Sequence, residues 1–313
     1  KMQNLVAEQL VGAGFREILC NSLTKSAYYD GLKSITPDSL VGIMNPLSSD
    51  LNVMRGTLLF GGLESIVRNA NRKYPNLKFF ECGNLYSFNK ERQDAEMPMK
   101  AYTEENYIGL WITGNRVQGS WAHADEKSSY YELRAHVNNI FTRVGLSPQM
   151  TVIEHSDSDL FQSALKVMTR GGKVICEMGI VNKAIQKKFE IQNEVYFAQI
   201  NWTQLCKAVK KHAVHYTEIS KFPAVSRDLS LLLDSSIEFA EIERIARNTE
   251  KKLLKSVELF DVYEGKNLPA GKKSYAVNFI LQDPEKTLND KAIDAIMKKL
   301  ITNITKQLGA ELR

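Results

Sequence analysis

From residue 226 to the end of the chain, apolar residues recur every two positions, then at helical spacing, then every two positions in two successive runs. A second helical stretch and a short closing strand follow. SRDLSLLLD puts Leu229, Leu231 and Leu233 on one face of a strand. Ser235, Ser236 and Glu238 supply helix-start chemistry, and Phe239, Ile242, Ile245 and Leu253 form the apolar stripe of the helix that follows. VELFDVYEG reads as a second strand, residues 266–273 as a loop, and SYAVNFILQ as a third strand with Tyr275, Val277, Phe279 and Leu281 alternating. A helix over residues 289–308 stops at Gly309, and AELR makes the fourth strand. The order βαββαβ is the ferredoxin-like split arrangement.

The 313 residues suit two domains, and the N-terminal portion reads differently. Residues 1–13 form an amphipathic helix closed by Gly12 and Gly14, followed by a strand in FREILCNSLT. Thr57 is a candidate cap for a helix over residues 57–72. LKFFECGNLYSF and YIGLWITGN are strands on either side of a charged loop, residues 89–101. RAHVNNIFTRVGL is a helix stopped by Gly145, and ALKVMTRGGKVICEMGIV is a hairpin turning at Gly171-Gly172. NKAIQKKFEI makes a short helix and EVYFAQINW a strand. The expectation is an α+β chain: an antiparallel-sheet body over 1–205, a basic linker over 206–215, and the regular module over 216–313.

An apolar fraction of 43% with 25% charged residues fits a globular chain able to bury a core. No apolar run approaches the ~20 residues that cross a bilayer, so no membrane role is expected. The first helix lacks the continuous apolar stretch of a signal peptide. Lys1-Met2 falls within that helix, as it would in a piece of a longer chain. Cys20, Cys82, Cys176 and Cys206 are widely spaced, which fits a reducing cytoplasm. His212 and His215 lack acidic or cysteine neighbours, so no metal site is nominated. The net charge of +5 permits a polyanionic partner without demanding one.

Catalytic signals are poor. The chain has no GxGxxG, Walker A, HExxH or GxSxG motif, and Gly61-Gly62 reads as close packing inside a helix start. Glu81, Glu177 and Asp228 sit beside strands with no spacing that pairs them, so no catalytic residue is nominated. RNA binding has more to work with. Asp261 and Tyr263 are two apart on one strand and share a face; a tyrosine stacks a base, and a carboxylate accepts two hydrogen bonds from a guanine edge. Lys221, Arg227, Lys266, Lys272 and Lys273 lie in loops or at strand ends where phosphates could meet them. The same pattern also suits a Tyr263 packed on the core beneath a solvated lysine face, and both readings stay open here.

KFPAVSRDLSLLLD, followed by LFDVYEGKNLPAGKKSYAVNFILQDPEKTLND, closely resembles the ferredoxin-fold anticodon-binding domain of the bacterial phenylalanine–tRNA ligase beta-subunit family. NPLSSDLNVMRGTLLFGGLESIVRNANR with LKFFECGNLY resembles that family's catalytic-like module, which is related to class II aminoacyl-tRNA synthetase cores, and ICEMGIVNKAIQKKFEI matches more loosely. The resemblance covers essentially the whole chain.

It implies a class II-like, catalytically silent body followed by an anticodon-binding domain. It implies an alpha subunit that carries out ATP-dependent aminoacylation in an alpha2beta2 assembly, with ATP and magnesium belonging to the whole enzyme and none to this chain. The first anticodon base of tRNA(Phe), a guanine, would stack on Tyr263, with Asp261 and Ser274 hydrogen-bonding its edge and Ser230 lining the pocket. The family's OB domain, editing site and magnesium ligands have no counterpart in this sequence, so the chain resembles the C-terminal portion. WAHADEKSSYYELRAHVNNIF departs from the family pattern, leaving 119–136 without an expected role. The alternatives are a ligase that activates a small acid with ATP, and a ferredoxin-like module binding another RNA or a small ligand.

Overall fold

The computed structural model describes every residue except Lys211, His212, Val214, His215, Thr217 and Lys266, together with the side chain of Gln149. The His212/His215 pair and Lys266 therefore lie outside the described residues. The chain divides into two compact units, Lys1–Val214 and His215–Arg313.

The first unit is built on a seven-stranded sheet. Its strands are β1 (Arg16–Glu17), β2 (Leu77–Phe88), β3 (Tyr102–Thr113), β4 (Thr151–His155), β5 (Phe161–Thr169), β6 (Val174–Val181) and β7 (Val195–Asn201). They lie in the order β1-β2-β3-β7-β6-β5-β4. Only β1 and β2 are parallel; the other pairs are antiparallel.

Strands β2, β3 and β7 are apolar on both faces because both faces are covered. On one side Phe80, Ile108, Leu110, Ile112, Ala198 and Ile200 pack with α1 (Met2–Gly12), α3 (Tyr130–Val144) and α5 (Trp202–Val209). On the other, Phe79, Trp111 and Phe197 pack with α2 (Leu59–Ala70) and α4 (Lys183–Lys188). The glycine pair in α2 does serve packing: a Cβ at Gly62 would come within 2.1 Å of the Trp111 indole.

Several local expectations change. FREILCNSLT is not one strand. Between Arg16–Glu17 and the ribbon that Leu23–Thr24 makes with Val53–Met54, the Cys20 and Leu23 N–H groups donate to the Glu81 and Asn21 side chains rather than to a ladder. The Thr57 hydroxyl accepts from the Leu59 N–H at 3.2 Å, and the helix begins two residues later than expected. Residues 206–209 belong to α5, held there by buried Leu205 and Val209. In 119–136, Asp125 accepts from the Gly119 N–H at 2.6 Å and closes a turn, Trp121 is fully exposed, and Ser129 caps α3.

The second unit contains β8 (Val225–Asp234), α6 (Phe239–Thr249), β9 (Leu254–Tyr263), β10 (Lys272–Leu281), α7 (Asp290–Leu308) and β11 (Glu311–Leu312). The four-stranded sheet has the order β9-β10-β8-β11, antiparallel throughout. Leu231, Leu233, Tyr275, Val277, Phe279 and Leu281 face the two helices and form one core with Ile242, Ile245, Ile293, Leu300 and Ile304.

Leu253 lies beyond the end of α6, not in its stripe. Ser235 and Ser236 form a turn, in which the Ser236 N–H and hydroxyl both donate to Asp234, and Glu238 takes the cap position. Asn289 caps α7 through the Ala292 N–H, and Gly309 ends it with φ 62°. No helix among the described residues is long and apolar enough to cross a membrane.

Candidate nucleic-acid interface

The face of the second sheet opposite its helices carries the residues of interest. Ser230 on β8 and Asp261 on β9 both pair with Ala276 of β10; one row along, Leu232 and Tyr263 both pair with Ser274. Directly opposed residues of an antiparallel pair share a face, so Ser230, Asp261, Tyr263 and Ser274 form one patch two rows deep.

A bulge puts Asp261 and Tyr263 there. Leu259 pairs with Val277 on the core side, and uninterrupted alternation would send Asp261 and Tyr263 to that side too. The register shifts between Leu259 and Asp261, leaving Phe260 as the extra residue. One inserted residue reverses the parity of everything after it.

The patch is rich in unused hydrogen-bonding capacity. Among the described residues, the Asp261 carboxylate and the Ser230 and Ser274 hydroxyls have no protein partner. The neighbouring rows are different. There the Asn278 amide donates to both Ser226 and Asp228, so the third carboxylate considered from the sequence is spent inside the sheet. Tyr263 is 38% exposed, and a Cβ at Gly265 would come within 2.5 Å of its hydroxyl, so the chain past β9 folds closely against the ring. This accounts for the glycine two residues after Tyr263.

The cations divide. Lys272 pairs with Asp234 in register, on the same face as Ser274. Lys221 is exposed but precedes the opposite end of β8. Two of the expected phosphate contacts lie on the other face of their strands. Lys273 points to the core side, 7% exposed, with its amine 4.7 Å above the Tyr275 ring. Arg227 also lies on the core side, reaching Asp290 at 3.9 Å. Strand alternation explains both, since each is an odd step from the open-face residues. The sequence reading missed Arg313. Its N–H donates to the Ser230 carbonyl, and its guanidinium stands 5.7 Å from the Tyr263 ring centre. No sequence signal brings the last residue to the second strand.

Among its described residues the first unit offers no comparable patch. Glu81, Gly109, Gln199 and Glu177 form one cross-strand row over β2, β3, β7 and β6. Three strand spacings separate the backbones of Glu81 and Glu177 by ~14 Å. Each is already engaged. Glu81 is fully buried and pairs with Arg55 at 2.6 Å. Glu177 accepts from the Ser156 hydroxyl, and burial pushes its carboxyl above the ordinary range. Gln199 accepts from the Thr57 hydroxyl and the Leu58 N–H, and Gly56 donates to Tyr29. The VMRGTLL segment is thus pinned across the sheet, beside a cavity of about 130 Å³.

Residues 1–202 match the family model described as the phenylalanyl tRNA synthetase beta chain CLM domain. The chain belongs to the phenylalanyl-tRNA synthetase beta chain family. Residues 220–313 match the ferredoxin-fold anticodon binding domain. Relatives named phenylalanine–tRNA ligase beta subunit include those of Bacteroides fragilis at 59% identity and Porphyromonas gingivalis at 51%, each over all of this chain and 38% of the relative. That of Clostridium acetobutylicum is 30% identical over the same shares. The chain therefore spans about two fifths of the length of these beta subunits. A solved pyrrolysyl-tRNA synthetase of Desulfitobacterium hafniense covers 67% of this chain and 68% of its own, at 15% identity and a TM-score of 0.49, a likeness too weak to carry an inference. Against the beta-subunit relatives, the βαββαβ unit is the anticodon-binding domain that the motifs led one to expect.

Proposed function

We propose that the second unit reads the anticodon of tRNA(Phe) on its open sheet face. The first anticodon base, a guanine, stacks on Tyr263. The guanine edge presents donors, so the Asp261 carboxylate accepts from it, Ser274 completes the set, and the small Ser230 leaves room beside the base. Lys272 meets the adjoining backbone. The observation that carries this reading is the contrast within one sheet: Asp228 and Asn278 satisfy each other, while Asp261, Ser230 and the buried Ser274 lie beside an exposed tyrosine with no hydrogen-bond partner among the described residues. Unspent polar groups around an aromatic ring favour a ligand that brings its own donors and a planar face.

The first unit acts as a class II-like architectural body that assembles with an alpha subunit in an alpha2beta2 enzyme and is itself catalytically silent. Its VMRGTLL segment is spent on internal bonds, and Trp111 fills the space between α2 and the sheet. ATP and magnesium belong to the whole enzyme. Four free cysteines suit a cytoplasmic setting.

The test is tRNA binding and charging by the assembled alpha–beta enzyme carrying Tyr263→Ala or Asp261→Ala. Each change should raise the tRNA Kd with the alpha-catalysed formation of phenylalanyl adenylate unchanged. Wild-type binding and charging by both would refute the assignment.

A further inference from the structure

We infer that the first unit holds a nucleotide-binding cavity, in which Gln199 and Glu177 meet the edge of a base and Lys173 meets its phosphate. The inference does not rest on the anticodon reading, and it assigns binding rather than catalysis to the body.

The cavity measures about 230 Å³ and lies where β3, β7 and β6 adjoin. Tyr107, Val174 and Ile175 supply ring and aliphatic surface, and Ile175 is the extra residue of a bulge between the Val174 and Cys176 pairings with β5. Glu177 and Gln199 also line the cavity, as direct cross-strand partners with complementary groups. They do not bond to each other, because each is held by one atom elsewhere. The Gln199 Oε1 accepts from the Thr57 hydroxyl at 2.8 Å and from the Leu58 N–H at 3.0 Å. A backbone N–H only donates, so that atom is the amide oxygen and the remaining one is the NH2. The Glu177 Oε1 is held in the same way by the Ser156 hydroxyl. Among the described residues, the Gln199 NH2 and the Glu177 Oε2 have no partner. Two anchored side chains thus set an unspent donor beside an unspent acceptor.

A ligand that completes this pair carries an acceptor next to a donor on one edge. Nucleobases have that edge: an amino group beside a ring nitrogen, or a carbonyl beside a ring N–H. Burial pushes the Glu177 carboxyl up, with the Ser156 bond and Lys166 opposing, so the free oxygen gains from a donor that the ligand brings. Size favours a base over something larger, since sites for drug-sized ligands run to ~300–1,000 Å³. Charge favours a nucleotide over an uncharged amide. Lys173 lines the cavity from the exposed hairpin and has no carboxylate partner among the described residues. A cation at the rim suits a phosphate carried outside the cavity on the ribose.

The experiment uses the whole beta chain assembled with its alpha subunit, whose own sites are first filled with a non-hydrolysable phenylalanyl-adenylate analogue. Labelled AMP, CMP, GMP and UMP are then measured by equilibrium dialysis. At least one should bind with a stoichiometry of one per beta chain. Glu177→Gln keeps an acceptor for Ser156 and puts an NH2 where the free oxygen stood, so it should weaken that nucleotide roughly tenfold. Lys173→Ala, a change at an exposed side chain, should weaken the monophosphate and leave the matching nucleoside unchanged. No binding once the alpha sites are filled, or binding that neither variant alters, overturns the inference. Orthophosphate competing as well as the nucleotide leaves only an anion at Lys173 and overturns the base site. Free glutamine competing as well as the nucleoside replaces the base with an amide side chain and overturns it too. Binding of tRNA by both variants should match the unaltered protein, which keeps this outcome separate from the anticodon reading.

Discussion

Tyr263 and Ser274 are direct cross-strand partners on the open face of the C-terminal sheet, brought into register by one extra residue, Phe260. The pairing sets an aromatic platform beside a buried hydroxyl that has no partner among the described residues, with Asp261 one row away.

Removing the platform should cost more than removing one polar group. Tyr263→Ala is expected to weaken tRNA binding by ~1–3 kcal/mol through loss of stacking. Asp261→Asn keeps the shape but offers one acceptor where the carboxylate offered two, and should mainly relax discrimination for guanine at the first anticodon position. Titration with tRNAs carrying guanine or adenine there separates the effects: Tyr263→Ala lowers both affinities, Asp261→Asn narrows their ratio.

The bulge can be tested directly. Phe260 is 60% exposed, so Phe260→Ser should leave stability within ~0.5 kcal/mol and tRNA binding close to wild type. Deleting Phe260 restores simple alternation and turns Asp261 and Tyr263 toward the helices. Thermal melting and tRNA titration should show a destabilised protein that no longer binds.

Gly62 packs directly against the Trp111 indole. A methyl group at Gly62 would lie 2.1 Å from an indole that is itself fully buried. Gly62→Ala should destabilise by ~1–3 kcal/mol, read from urea unfolding followed by tryptophan fluorescence.

The Arg55–Glu81 pair is buried on both sides. Removing one partner, as in Arg55→Ala or Glu81→Ala, should cost ~3–5 kcal/mol because a lone charge is left buried. Replacing both together with Arg55→Met and Glu81→Leu should cost less than either single change. A double-mutant cycle of unfolding free energies measures the difference.

His136 provides a pH signature. Burial holds its imidazole below the ordinary pKa of 6.5, Lys78 lowers it further, and Glu132 opposes the shift; Phe15 meets the ring edge-on at 4.8 Å. With a folded pKa below the unfolded one, the unfolded state takes up a proton first as pH falls. Stability is therefore full above about pH 6.5 and declines as pH drops through the window down to the folded pKa. Glu177 has the opposite sense, since its raised pKa makes its contribution fade as pH rises from the carboxylate range. His136→Gln should flatten the stability profile just below pH 6.5, measured by urea unfolding across pH.

Much of this protein was legible before any coordinates. The spacing of Leu229, Leu231 and Leu233, the alternation in SYAVNFILQ, the Asn289 start and the Gly309 stop define the βαββαβ order, because each depends on residues close in the chain. Gly61-Gly62 was legible as packing, though not that Trp111 is what it packs against. The Asp261–Tyr263 pair was legible as a chemical type, and the family motifs pointed to its use. What only the tertiary structure decided is which way those side chains face and what surrounds them. Alternation from Leu259 alone points Asp261 and Tyr263 into the core; the Phe260 bulge turns them out, and a bulge is a property of two paired strands. In the same way, only strand register shows Lys273 and Arg227 to be on the helix side, leaves Asp261 without a partner among the described residues while Asp228 is spent on Asn278, and brings Arg313 from the far edge of the sheet to Tyr263. Local propensity is written in neighbouring residues, whereas the face a side chain occupies and the partners it meets arise from pairing between segments far apart in the chain.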